Sequence, residues 1–163
     1  MPPVSALQQE IKQRRPFRSA AEEATLGIAR TAAMIRRHIS AVVEPSGITL
    51  AQYNVLRILR GAGSDGLPTL AVRDRLIEEA PGITRLVDKL EGAGFVRRDR
   101  STPDRRQVIC FITPKGLALL KKLDSTVASA DEVGGVGLSV KEQRVMIKLL
   151  DKVRATSRKP KRK

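Results

Sequence analysis

Thr84, Arg85 and Lys89 are the side chains whose types and spacing best suit a chemical task, and the task is recognition rather than bond-making. They share the polar face of residues 81–94, PGITRLVDKLEGAG. A guanidinium can bond guanine O6 and N7 in bidentate fashion, and a hydroxyl can donate or accept at base edges. Arg85 suits a base contact or a phosphate contact equally. Lys89, a turn further along, suits a phosphate contact or plain exposure, and Gly82 allows close backbone approach to a phosphate. Groups that could make or break bonds are scarce. A single histidine, His38, and a single cysteine, Cys110, leave no Ser/His/Asp or other Cys/His arrangement, no His-based metal site and no intrachain disulfide. No Gly-Lys phosphate loop occurs either. The sequence therefore reads as a non-enzyme with no cofactor and no metal. Cys110, in an apolar run without a nearby activating cation, reads as a small hydrophobe rather than a redox sensor. His38, between Arg37 and Ile39, reads as exposed or interfacial.

Those polar groups need an apolar face behind them. Ile83, Leu86, Val87 and Leu90 recur at i, i+3, i+4 and i+7, which predicts a helix over residues 81–94. Pro81 suits its first position. Gly94 can take the left-handed conformation just past its end, with Phe95 folding back on the last turn. Upstream, residues 69–76 (TLAVRDRL) form a second short helix with Leu70, Val72 and Leu76 as apolar contacts. The linker 77–80 is so short that the two helices must cross. Downstream, strand-like runs at 95–100 and 107–113 flank the turn-rich segment 101–106, STPDRR. Helix, turn, helix and basic-tipped hairpin make a winged helix-turn-helix. In that arrangement the second helix enters the major groove and the hairpin follows the backbone or enters the minor groove. Arg97, Arg98 and Arg100 alternate across strand faces, so only some of them can face DNA together.

Three sequence caps punctuate the rest: Ser19…Glu22, Thr49…Gln52 and Ser139…Glu142. The first opens a long helix to about Val43, ended by Pro45 and Gly47, with Ile28, Ala32, Ile35, Ile39 and Val42 in one stripe. The second starts a helix to about Arg60, followed by a plain flexible connection at 61–66. Thr113-Pro114 starts another, with Leu117, Leu120, Leu123 and Val127 on one side. Residues 128–138 break the pattern, and Val145, Met146, Leu149, Leu150 and Val153 resume it. The expected architecture is mainly α with a small β-hairpin wing: an N-terminal arm (1–18), an N-terminal dimerisation helix (19–48), a winged helix-turn-helix (49–113), C-terminal dimerisation helices (114–157) and a basic tail (158–163). The terminal helices carry more apolar surface than the central unit can cover. A two-fold dimer would bury it, with Ile28, Ile35, Ile39, Leu120, Leu123, Met146, Leu149 and Val153 at the contact.

A formal charge of +14 makes a polyanionic partner cheap to bind. The excess is uneven, because residues 114–163 hold 13 Lys and Arg against 5 acids. The block at 157–163, SRKPKRK, reads as a solvated disordered tail. With no Trp, one Tyr and three Phe, stacking platforms for single strands are nearly absent. No run of about 18 apolar residues and no signal-peptide pattern occur, so a soluble cytoplasmic protein with no membrane partner is expected.

In this order, the chain resembles the MarR (multiple antibiotic resistance regulator) family of bacterial transcription factors. The resemblance rests on QYNVLRIL at 52–59, ITRLVDKLE at 83–91, GFVRR at 94–98 and the wing PDRRQVICFITPKG at 103–116. It extends over about residues 19–154. It implies a homodimer on double-stranded DNA at a near-palindromic operator, a repressor by preference, responsive to a small-molecule or stress signal. It also implies that Arg106 at the wing tip enters the minor groove, oriented by Asp104. The expected DNA-contacting set is then Thr69, Gly82, Thr84, Arg85, Lys89, Arg98, Asp104, Arg105 and Arg106. Two places depart from the family pattern: Ala80 replaces a Ser or Thr cap, and Pro81-Gly82 replaces short hydroxyl residues. The alternative is a non-specific architectural DNA-binding protein that uses its charge for backbone contacts only.

Overall fold

Side-chain caps fix where the long helices begin in the computed structural model, which describes residues 4–78, 82–100, 107–131 and 137–157. Thr49 and Gln52 make the full reciprocal capping box at the start of α3 (Leu50–Ala62). Ser139 and Glu142 do the same for α7 (Val140–Ser157). At α2 (Ala20–Val43), Ser19 accepts from the Glu22 amide, but the Glu22 carboxylate reaches past the cap to the amide and guanidinium of Arg18. Pro45 and Gly47 end α2 in a 3₁₀ turn, Gly47 standing at φ +80°. The N-terminal arm includes a short helix, α1 (Ala6–Glu10), capped by Ser5. It is tied to α2 by a Glu10–Arg30 ion pair.

The chain falls into two compact units, residues 1–130 and 131–163. In the first, α3, α4 (Thr69–Asp74), α5 (Ile83–Gly92) and α6 (Pro114–Asp131) enclose one apolar core with a small sheet. Val55, Leu56 and Leu59 of α3, Val72 of α4, and Val87 and Leu90 of α5 are fully buried there. Each such side chain is worth about 1.5–3 kcal/mol of transfer free energy. Antiparallel β2 (Val96–Arg100) and β3 (Val108–Ile112) form the expected hairpin, with Arg98 opposite Cys110.

Several expectations change. Residues 61–66 are no plain linker. α3 runs on to Ala62, a 3₁₀ turn follows, and β1 (Leu67–Pro68) pairs with β3 in the order β1-β3-β2. Gly66 permits this: at φ +62°, a Cβ there would lie 2.7 Å from the Cys110 carbonyl oxygen. Pro68 is tolerated because β1 is an edge strand. Leu70 is 61% exposed, so α4 meets the core through Val72. α6 continues to Asp131 rather than breaking at Ala128. Leu120 and Leu123, expected at a subunit contact, are buried within the protomer, where they belong to the same apolar core as the buried residues of α3, α4 and α5. Among the other expected contact residues, Ile28, Leu149 and Val153 are exposed, while Ile35, Ile39 and Met146 are half-buried. Among the described residues no helix is long and apolar enough to cross a membrane.

Candidate nucleic-acid interface

α5 begins with its apolar period at Ile83, two residues after the expected start at 81. Gly82 is its N-cap, at φ +93° and ψ +40°, and its carbonyl accepts from Leu86 N–H at 3.2 Å. A left-handed residue sets the entry, so Gly82 is required for its backbone angle. Space is not the constraint, since the nearest atom to an added Cβ would be Arg85 Cδ at 4.0 Å. Pro81 and Ala80 lie outside the described residues. The far end closes as the sequence suggests. Gly94, at φ +76°, donates to the Glu91 carbonyl at 2.8 Å and Phe95 to the Leu90 carbonyl at 2.9 Å, a Schellman motif.

Ile83, Val87 and Leu90 are buried, which turns Thr84, Arg85, Asp88 and Lys89 outward. Their fates differ. Among the described residues, Arg85 and Lys89 make no ion pair, whereas Asp88 is held by Arg98 at 2.8 Å. Arg98 also grips Glu91, with Nε at 2.8 Å from Oε2 and a second, shorter contact through Nη2. Arg98 is therefore spent inside the protein: from β2 it clamps two carboxylates of α5, with 27% of its side chain exposed. The hydrogen bond from Arg98 holds the Glu91 carboxyl below its ordinary range, and Glu91 in turn pushes the Arg98 guanidinium up.

Thr69, also in the expected set, is engaged within the fold. Its hydroxyl donates to the Val108 carbonyl at 3.4 Å and lies 3.4 Å from Cys110 Sγ, fixing α4 to β3. Cys110 is fully buried, and that burial pushes its thiol up, which disfavours the reactive thiolate. On the opposite side of the hairpin, Arg97 stacks on the Phe111 ring at 4.4 Å and pairs with Asp99. The wing tip, with Asp104, Arg105 and Arg106, lies outside the described residues.

A joint that sequence reasoning did not single out holds the C-terminal end of α5. Lys115 donates to the Ala93 carbonyl at 2.8 Å and covers the Phe95 ring at 5.0 Å. The Thr113 hydroxyl donates to the Gly94 carbonyl at 2.7 Å and accepts from the Gly116 amide at 3.1 Å. Gly116 sits so close that a Cβ would fall 2.5 Å from the Phe95 carbonyl oxygen. The signal was Thr-Pro-Lys-Gly, whose capping Thr is visible but whose reach back to α5 is not. At the other end, Arg36 of α2 pairs with Glu78, just before α5, at 2.6 Å. The result is a small outward face, Gly82, Thr84, Arg85 and Lys89, on a helix fixed by its core side, by Arg98 and by the α6 joint. Such a face can hydrogen-bond base edges and pair with phosphates. Among the described residues no cluster of metal-binding side chains occurs.

Residues 48–108 match the model of the MarR family. The HTH-type transcriptional repressor Mb2911 of Mycobacterium bovis is 30% identical over 135 residues, which cover 82% of this chain and 96% of that protein. The crystal structure of a MarR transcription factor from Planctomyces limnophilus superposes with a TM-score of 0.64 at 34% identity, covering 83% of this chain and 98% of that one. A mutant of MarR from E. coli, crystallised with operator DNA, shares the fold with a TM-score of 0.73 at 24% identity, covering 91% and 99%.

Proposed function

The chain belongs to the MarR family and is a DNA-binding transcription regulator rather than an enzyme, and from that premise we propose that it is a homodimeric repressor of a near-palindromic operator, released by a small-molecule or stress signal. The observation that carries the reading is the outward face of α5. Arg85 and Lys89 stand clear of the ion pairs that consume Asp88 and Arg98. In this reading Thr84 and Arg85 meet base edges in the major groove. Gly82 and Lys89 meet phosphates, and Arg106 anchors the minor groove with Asp104 and Arg105 beside it. The similarity to a named repressor supports repression, and family membership supports an effector.

Selection of bound DNA from a random pool at physiological salt tests the proposal. The expected product is two half-sites related by a two-fold axis, with centres roughly 10 base pairs apart. Recovery of no motif would overturn it in favour of the architectural alternative, because electrostatic binding alone carries no sequence preference. The same operator then separates helix from wing. Arg85→Ala is expected to relax preference at one base pair of each half-site, at a cost of about 1–3 kcal/mol. Arg106→Ala is expected to weaken binding most where A·T-rich flanks narrow the minor groove. Equal loss on every sequence for Arg85→Ala would make Arg85 a phosphate contact and move base reading to Thr84 or the backbone at Gly82.

A further inference from the structure

We propose that Arg36 is a positioning residue for DNA recognition: by gripping Glu78 it ties the long helix α2 to the entry of α5, and so fixes the end of α5 that carries Thr84 and Arg85. Arg36 Nη1 donates to Glu78 Oε1 at 2.6 Å, joining residues 42 apart in the chain. Both belong to the first compact unit. The inference rests on the reading above that α5 is the helix facing the duplex.

The two ends of α5 are held differently. Its second half is gripped from several sides: Arg98 reaches Asp88 and Glu91, Lys115 reaches the Ala93 carbonyl, and Thr113 reaches the Gly94 carbonyl. The first turn is the part that presents Thr84 and Arg85, and it has less to hold it. Ile83 is buried, but the Gly82 cap contributes no side-chain hydrogen bond. The approach to that cap also lacks apolar anchorage after Leu76, which packs against the core. Ile77 is 80% exposed, and the Arg36–Glu78 pair follows it directly. Gly82 stands four residues on from Glu78, within a chain reach of at most about 14 Å. Fixing Glu78 to α2 therefore narrows the range of positions from which the chain can enter α5. Such precision matters to a bidentate guanidinium contact, which needs its side chain held to within about 0.5 Å.

The sign of one substitution separates this role from a simple charge effect. Glu78 is a negative charge close to a helix that faces phosphates. If charge were its whole contribution, removing it would tighten DNA binding. If it is the far end of a tie, removing it weakens operator binding although the protein becomes more cationic.

The test uses the full chain as Glu78→Gln, as Arg36→Gln, with both combined, and as the swapped pair Arg36→Glu with Glu78→Arg. Circular dichroism and sedimentation check the fold and association state of each. Anisotropy then measures binding to the selected operator and to an unrelated duplex. Glu78→Gln is expected to weaken operator binding by about two- to fivefold per protomer, the scale of one partly exposed ion pair, with no loss on the unrelated duplex. Adding Arg36→Gln to Glu78→Gln should cost little more, because the two residues act as one, and the swapped pair should recover most of the operator affinity. Amide hydrogen exchange at Thr84 and Arg85 should quicken in each single variant, while exchange at Ala93 and Gly94 stays as in the parent. Tighter operator binding by Glu78→Gln overturns the proposal, as does a full second loss on adding Arg36→Gln, which would make Arg36 a phosphate contact in its own right. Arg85→Ala is the control for the reading beneath: if it leaves operator binding intact, the assignment of α5 falls and this inference with it. If no operator is recovered, the repressor reading falls, and the exchange rates decide alone, unchanged rates at Thr84 and Arg85 overturning the tie.

Discussion

Arg85 and Arg98 carry the same guanidinium in different company. The sequence shows both near α5, but only the fold shows that β2 returns Arg98 alongside Asp88 and Glu91. That contact joins a helix to a strand through a turn whose exit angle no local pattern specifies. Partly exposed pairs are individually worth about 0–1 kcal/mol, so Arg98→Ala is expected to cost little in stability. It should loosen α5 against the hairpin and weaken binding to all DNA sequences alike, in contrast to Arg85→Ala. A library of single-base operator changes checks this, and a change of preference at one position would make Arg98 a base contact. Acid gives a second check. Glu91 is depressed in the fold, so its contribution is present above the ordinary carboxylate pKa and is lost as pH falls through the lower folded value. The stability deficit of Glu91→Gln should therefore be full near pH 7 and shrink below about pH 4 in urea melts. Cys110 was legible as a hydrophobe from its apolar neighbours. Its burial predicts slow alkylation by iodoacetamide in the native protein and rapid alkylation in urea, read by mass spectrometry.

At the scale of elements, what period and punctuation encode came through. α5 shows its buried face at helical spacing, and three caps mark the starts of α2, α3 and α7. What failed was non-local. β1 is two residues long and owes its existence to a neighbour, since Leu67 is a strand only because Cys110 lies opposite. A Gly-rich approach such as residues 61–66 reads as loose in isolation, yet Gly66 is among the tightest positions in the fold. Glycines thus separate by their surroundings, and two substitutions are predicted to have opposite signs. Gly116→Ala would place Cβ 2.5 Å from the Phe95 carbonyl oxygen and 2.8 Å from Ile112 Cγ1. The α5–α6 joint must shift, with an expected loss of about 1–3 kcal/mol. Gly61→Ala meets nothing within 4 Å on α3, so it is expected to gain up to about 1 kcal/mol from helix propensity. Thermal and urea melts of the two variants decide, and a Gly116→Ala protein as stable as the parent would show that the joint is compliant.

For the whole molecule, the central unit was readable because its face and core alternate within short windows, whereas association depends on what those faces meet. The stripes on α2 and α6 look alike in sequence, yet α6 spends Leu120, Leu123 and Val127 on the protomer's own core, and α2 leaves Leu26, Ile28 and Met34 exposed. The apolar positions Val145, Ile147, Leu149 and Val153 of α7 are each about half exposed. Exposed apolar area of this extent stabilises association at about 25 cal/mol per Å² removed from water. The proposed dimer accordingly rests on α2 and α7 rather than on α6. Full-length protein is expected to sediment as a dimer at micromolar concentration, and Leu149→Glu with Val153→Glu to shift it toward monomer, since each buried carboxylate would lack a partner. The DNA consequence follows from multivalency. Two linked recognition helices hold a two-fold operator with an avidity that can exceed a single half-site contact by about 10²–10⁴. The doubly substituted protein should lose affinity of that order for the full operator while its affinity for an isolated half-site stays within a few-fold of the parent. A parent protein that sediments as a monomer, or a variant that binds both DNAs as the parent does, would exclude α7 from the dimer contact.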